Sequence, residues 1–263
     1  MLIRRLNNMG TLIKQELYKL VHKRGTWLAL AFMVLTQIGF AIIGKFNPEI
    51  LPIDSLIASN YIGGALIIFI MIASTATIIS MEFQYGTIKQ LLYRQYYRSQ
   101  IFISKIIVLL LQFLVLQVVA TLMTFILTFI LKPDFHWQAP FGHQTFIKQY
   151  FLSMGGNWLV TLLLLSFVLL LATWFKTNAA AIVSGFVGYF IVQIASSLLI
   201  LLIGRWEWLK WNPLTMLLVQ AQINSPDMSK VTMLSTSTMV AGALIYTVIF
   251  TVIAYFSFRK HSV

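Results

Sequence analysis

Long apolar runs alternate with short polar connections along the chain, and six of the runs approach the ~20 residues an α-helix needs to cross ~30 Å of hydrocarbon. They cover residues 26–44, 61–80, 101–131, 158–175, 179–203 and 237–258. The third is longer than a bilayer requires, so it is predicted to tilt or to project beyond the membrane. Only Lys176, Thr177 and Asn178 separate the fourth and fifth, which predicts a tight antiparallel hairpin. Ahead of the first span, Leu2, Leu6, Met9, Ile13, Leu17 and Leu20 recur at steps of three or four, with Arg4, Arg5, Lys14 and Lys19 off the stripe. Residues 1–25 therefore read as an amphipathic helix lying in the membrane interface. Asn212-Pro213 has the form of a helix cap followed by proline at the first helical position, so residues 214–222 read as a short helix on or dipping into the surface. The fold class expected is an all-α integral membrane protein forming a single transmembrane domain.

Composition sharpens this reading. Of 263 residues, 59% are hydrophobic and 10% charged, against about 25% charged in an ordinary soluble domain. The 19 Lys and Arg outnumber the 7 Asp and Glu, and in such a chain cations collect on cytoplasmic loops rather than marking nucleic-acid binding. One side of the predicted topology takes Arg4, Arg5, Lys14, Lys19, Lys23, Arg24, Lys89, Arg94, Arg98, Lys105, Lys176, Arg259 and Lys260. The other takes Lys45, Lys132, Lys148, Arg205, Lys210 and Lys230, with five of the seven acids. The positive-inside rule then puts both termini in the cytoplasm.

Several chemistries lack their residues. There is no cysteine, so no disulfide, thiol nucleophile or thiolate metal site arises. Every charge falls in a loop, in the N-terminal helix or at a span end, whereas ion-coupled transporters carry titratable groups at depth. No H-E-x-x-H and no G-x-x-x-x-G-K-[ST] occurs, so no zinc hydrolase or phosphate-binding loop is expected. His136 and His143 share one loop and read as solvated residues rather than a metal pair. Uncharged polar residues do enter the spans. Ser74, Thr77, Gln117, Ser184 and Gln193 are candidates for lining a conduit, beside the ordinary reading as interhelical hydrogen bonds. Ala180, Ser184 and Gly188 place small residues on one face of the fifth span, a surface for close packing within the chain or between two copies.

The segment between spans two and three is the most informative. Ile88, Leu91 and Leu92 give an apolar face, and Lys89, Arg94 and Arg98 a basic one, so residues 82–97 read as a short amphipathic helix suited to docking on membrane or partner. Glu82, Gly86-Thr87, Leu91-Leu92, Arg98 and Lys105 follow the E-x-x-x-G-T…L-L…R…K order of ABC-2-type permeases, and the chain resembles that family over essentially its whole length. Gln95 stands where the family often has proline.

The resemblance implies the membrane subunit of a bacterial ATP-binding-cassette exporter in the plasma membrane. Residues 82–97 would be a coupling helix seated on a separate ATPase subunit, which would bind ATP and Mg; this chain would bind no cofactor. Glu82 would lie near the helix start, favoured by its dipole. Gly86 would allow close backbone approach, and Leu91 and Leu92 would pack on the partner. Arg98 and Lys105 would anchor span three in the headgroups or against the amphipathic helix, where Glu16 could pair with one of them. A second permease subunit, identical or similar, would complete the pathway, and the substrate class implied is an amphipathic or antimicrobial peptide. The alternative is a membrane-embedded sensor or anchor whose cytoplasmic helix docks a signalling partner.

Overall fold

The computed structural model describes residues 2–86, 96–141, 144–175 and 177–260, with side chains from residue 9 onward. Among these residues, six helical segments are long and apolar enough to cross a membrane. Helix α1 (Leu2–His22) gives way after a break at Lys23 to α2 (Arg24–Phe46), then to the short α3 (Ile53–Ala58) and to α4 (Gly63–Gln84). Helix α5 (Arg98–Leu131) is followed by a two-residue antiparallel pair, β1 (Pro140–Phe141) and β2 (Gln144–Thr145), and by α6 (Phe146–Ala172). Helix α7 (Asn178–Ile203) leads into a 3-10 turn (Glu207–Trp211) and three short helices, α8 (Pro213–Met216), α9 (Val219–Asn224) and α10 (Met228–Thr232). Helix α11 (Thr236–Lys260) closes the described chain.

Three boundaries depart from the hydropathy pattern. The fourth spanning helix begins at Phe146 rather than near residue 158 and ends at Ala172. Lys148, Gln149 and the Gly155-Gly156 pair dilute its first turns, yet Phe146 and Tyr150 are buried there and hold the helix in place. The second span starts at Gly63 rather than Tyr61, because Asn60, Tyr61 and Ile62 all adopt left-handed backbone with φ of 55°, 47° and 68°. It also runs past Ser80 to Gln84, so the first residues expected in a separate coupling helix are the last turn of α4.

The chain forms two compact units. The first takes residues 1–74 and 81–135. Within it α5 packs on α1 and α2, and α2 also packs on α3. A left-handed run of three non-glycine residues, one of them β-branched, is costly and persists only when its surroundings hold it. Here the grip is polar. Gln37, fully buried on α2, donates from Nε2 to the carbonyl of Asn60 at 2.8 Å and to that of Ala120 at 3.2 Å. Thr124 Oγ1 lies 3.2 Å from Asn60 Oδ1, and the Tyr61 and Thr128 hydroxyls are 3.2 Å apart. Gly63 is required by the same contacts, since a Cβ there would stand 2.6 Å from Gln37 Nε2.

The second unit comprises residues 136–260 with the single turn 75–80. Its core joins Val160, Leu163 and Leu164 of α6 to Val192 of α7, Met216 and Val219, and Met239 and Ala243 of α11. The connection between α7 and α11 is therefore not a surface loop but part of the core. Asn212 Oδ1 accepts from the Leu214 amide at 2.9 Å and caps α8 ahead of Pro213. Buried Gln222 donates to the Leu234 carbonyl at 2.9 Å and to Thr236 Oγ1 at 3.1 Å, while its Oε1 accepts from Thr232 at 2.7 Å. Those three bonds satisfy the amide and pin the connection from inside. Trp206, Trp208 and Trp211 stay exposed beside it. The small face of α7 packs within the chain, because a Cβ on Gly188 would meet Leu171 of α6 at 2.9 Å.

The Gln37 contacts make a cycle that can be measured. Gly63→Ala should cost about 1–3 kcal/mol by displacing a buried, hydrogen-bonded amide. In a Gln37→Ala background the same change should cost less than half as much, because the two sites share one contact. Thermal unfolding of the four variants in detergent gives the coupling directly.

Candidate functional site

Helix α1 turns one face toward the first unit: Leu12 and Glu16, one turn apart, are almost fully buried, and Met9, Ile13, Leu17 and Leu20 are half-buried beside them. The apolar stripe thus has a carboxylate at its centre rather than at its edge. Glu82 reaches the same place from the last turn of α4 and is 5% exposed. Lys105 reaches it from α5 and is 1% exposed. Lys105 lies seven residues into α5, about 10 Å along it at 1.5 Å per residue. The whole helix would be about 50 Å long, well beyond a hydrocarbon layer, so this end has length to spare.

The geometry is a closed set of four charges. Lys105 Nζ is 3.0 Å from Glu16 Oε2 and 2.9 Å from Glu82 Oε1. Lys19 Nζ, one turn beyond Glu16, is 2.7 Å from Glu16 Oε1 and 3.1 Å from Glu82 Oε1. Each lysine bridges both carboxylates, and the four charges cancel. A single buried charge would be prohibitive. Neutrality and repeated hydrogen bonding are what make this one tolerable.

The place expected of Glu82 changes accordingly. Glu82 does not start a helix. It sits at the carboxyl end of α4, where the dipole disfavours a carboxylate, and the two lysines offset that penalty. Gly86 has φ of +65°, and a Cβ there would meet nothing within 4 Å. Within the described residues it makes the left-handed turn that ends α4, where its amide donates to the Phe83 carbonyl at 3.3 Å. Arg98 is the first residue of α5 and is half-buried. Thr87, Leu91 and Leu92 lie outside the described residues.

The candidate conduit residues divide between the two units. In the first unit, Ser74 Oγ accepts from Gln112 Nε2 at 2.9 Å. Gln117 is 2% exposed, and neither its Nε2 nor its Oε1 has a hydrogen-bond partner among the described residues. In the second unit, Thr77 is buried, Ser184 donates to the carbonyl of Ala181 at 2.9 Å, and Gln193 is exposed and bonds Tyr189 on its own helix. Lys19 is the functional residue that sequence reasoning passed over. Its signal was present as a cation three residues after Glu16, the spacing of helical ion pairs.

A family model, ABC-2 family transporter protein, matches residues 12–193, from the buried turn of α1 to the middle of α7. The chain belongs to the ABC-2 transporter family. It is also 26% identical to the uncharacterized membrane protein YdbK of Bacillus subtilis (strain 168) over 196 residues, which cover 72% of this chain and 77% of that protein. Membership makes it a multi-pass transport protein of the ABC-2 type, and all four charges of the cluster fall inside the matched region.

Burial alone would lower the pKa of Lys19, but the hydrogen bond and charge of Glu16, with those of Glu82, outweigh it and raise the value above 10.5. A raised lysine stabilises fully below 10.5 and is lost only as pH climbs through the folded value, so the contribution of Lys19 should stay constant between about pH 6 and 9. Lys105→Met should cost about 3–5 kcal/mol, because two buried carboxylates would then face each other with one half-exposed lysine between them. Lys19→Met should cost about 1 kcal/mol or less. Unfolding temperatures of the two variants at pH 7.5 test the ranking.

Proposed function

We propose that the chain is the permease half of an ATP-driven exporter, coupled to a separate ATPase subunit through residues 85–97, between α4 and α5. The supporting observation is the charge cluster. Glu82 stands just before that connection and Lys105 just after it, and Glu16 ties both to α1. A force applied to the connection is then delivered at once to α1, α4 and α5 as one rigid group, the kind of element a rigid-body transition needs. The cation-rich side would face the cytoplasm. Two permease subunits, identical or similar, would enclose the pathway, with ATP and Mg held by two ATPase subunits.

In this reading Leu91 and Leu92 are the apolar anchors on the ATPase, with Thr87 and Arg98 flanking them. The pathway draws on the uncharged polar residues Ser74, Thr77, Gln117, Ser184 and Gln193. Gln117, whose amide has no hydrogen-bond partner among the described residues, is the residue of that set with most to gain from a passing solute or water. An amphipathic peptide fits a pathway without buried charge.

The reading is tested by purifying the full chain with the ATPase encoded beside it, in wild type and in Leu91→Asp with Leu92→Asp. The double change should lower recovery of the ATPase about tenfold or more, the loss expected when two apolar anchors become charged, while the unfolding temperature of the chain stays put. Equal recovery in both, or none in either, would remove the coupling assignment and favour a membrane anchor for another partner.

A further inference from the structure

The second unit contains a partly open apolar cavity of about 150 Å³ lined by α6, α7, α11 and the buried connection. Its floor is Leu163, Leu164 and Val192, all buried, and its rim is Phe167, Leu217 and Phe250, all half-buried. Water is a poor occupant, because it needs two to four polar partners and these side chains offer none. Val192 and Phe250 lie near the middle of α7 and α11, so in a spanning arrangement the cavity sits at the depth where lipid tails end. Its half-buried rim leaves it partly open to its surroundings.

We propose that this cavity is a binding site for the terminal segment of one acyl chain of a bilayer phospholipid. A cavity of that size lined by Leu, Ile and Phe accommodates benzene, so about six carbons of a tail would fill it. An empty cavity forfeits dispersion contacts around its whole wall. In a bilayer the surrounding solvent is itself a saturated supply of chains that restore them. Leu217 comes from the connection and the rest of the lining named above from spanning helices, so the bound tail would tie the connection to the helices around it. The site is separate from the charge cluster and from residues 85–97, so it does not depend on the coupling proposal.

The full chain in vesicles of phosphatidylethanolamine and phosphatidylglycerol, doped with a phosphatidylcholine bearing a diazirine at the end of one tail, provides the test. After irradiation, peptides containing Leu163–Phe167, Val192 and Leu217 should carry adducts about fivefold above those containing Val248, Ile249 and Val252, which are merely exposed on α11. Val192→Phe fills the floor and should bring that labelling to the α11 level while α11 itself is unchanged. Leu217→Phe narrows the rim and serves the same purpose should the first variant not fold. Three results overturn the site: wild-type labelling at the α11 level, labelling indifferent to the folded variants, or labelling from a diazirine-bearing amphipathic peptide but not from the lipid.

Discussion

Lys105 and Arg98 are the charged residues of α5, and the Lys105 side chain is shut away from water. That condition imposes the arrangement around it. Two carboxylates must come to the ammonium, and they come from different elements, Glu16 from α1 and Glu82 from the end of α4. Helix α1 is thereby fixed to the first unit by more than its apolar stripe, and the end of α4 is fixed where its own dipole argues against a carboxylate. Lys19 supplies the fourth charge that brings the set to neutrality. Replacing such a set with apolar residues of equal volume is often harmless to stability. Its value here lies in geometry: two helix ends and α1 meet in one orientation and no other.

Much of this was legible in the pattern of residues. Six apolar runs separated by short polar connections announce six spanning helices because hydrocarbon thickness sets their length. The order Glu82, Gly86, Arg98, Lys105 marked the region where the family resemblance is concentrated, and the family match confirms the membership. What the pattern hid has physical causes. A charge inside an amphipathic stripe looks like an edge residue until its partners are known, so the recurrence of Leu2, Leu6, Met9, Ile13, Leu17 and Leu20 does not by itself bring Glu16 onto the buried face. The left-handed run at Asn60 to Ile62 left no trace, since none of those residues is glycine and the contacts that hold it come from Gln37 and Thr124, distant in the chain.

The connection between α7 and α11 shows the same limit from the other side. Asn212-Pro213 and the residues after it read as a short helix on or dipping into the surface, and the three tryptophans beside it are exposed. Yet Met216, Val219 and Gln222 are buried, and Gln222 satisfies its amide entirely within the connection and the first turn of α11. A polar side chain that meets its needs locally can go into an apolar core without assistance from the helices around it. Composition alone does not reveal which glutamine is so provided.

The order of residues along the chain gives the charge cluster one more property. Glu16 and Glu82 both precede Lys105, and the first unit draws on residues up to 135. As the polypeptide leaves the ribosome, both carboxylates have been made before the lysine appears. Lys105 thus closes the set last in chain order, and the cluster is complete in composition well before the first unit ends at residue 135.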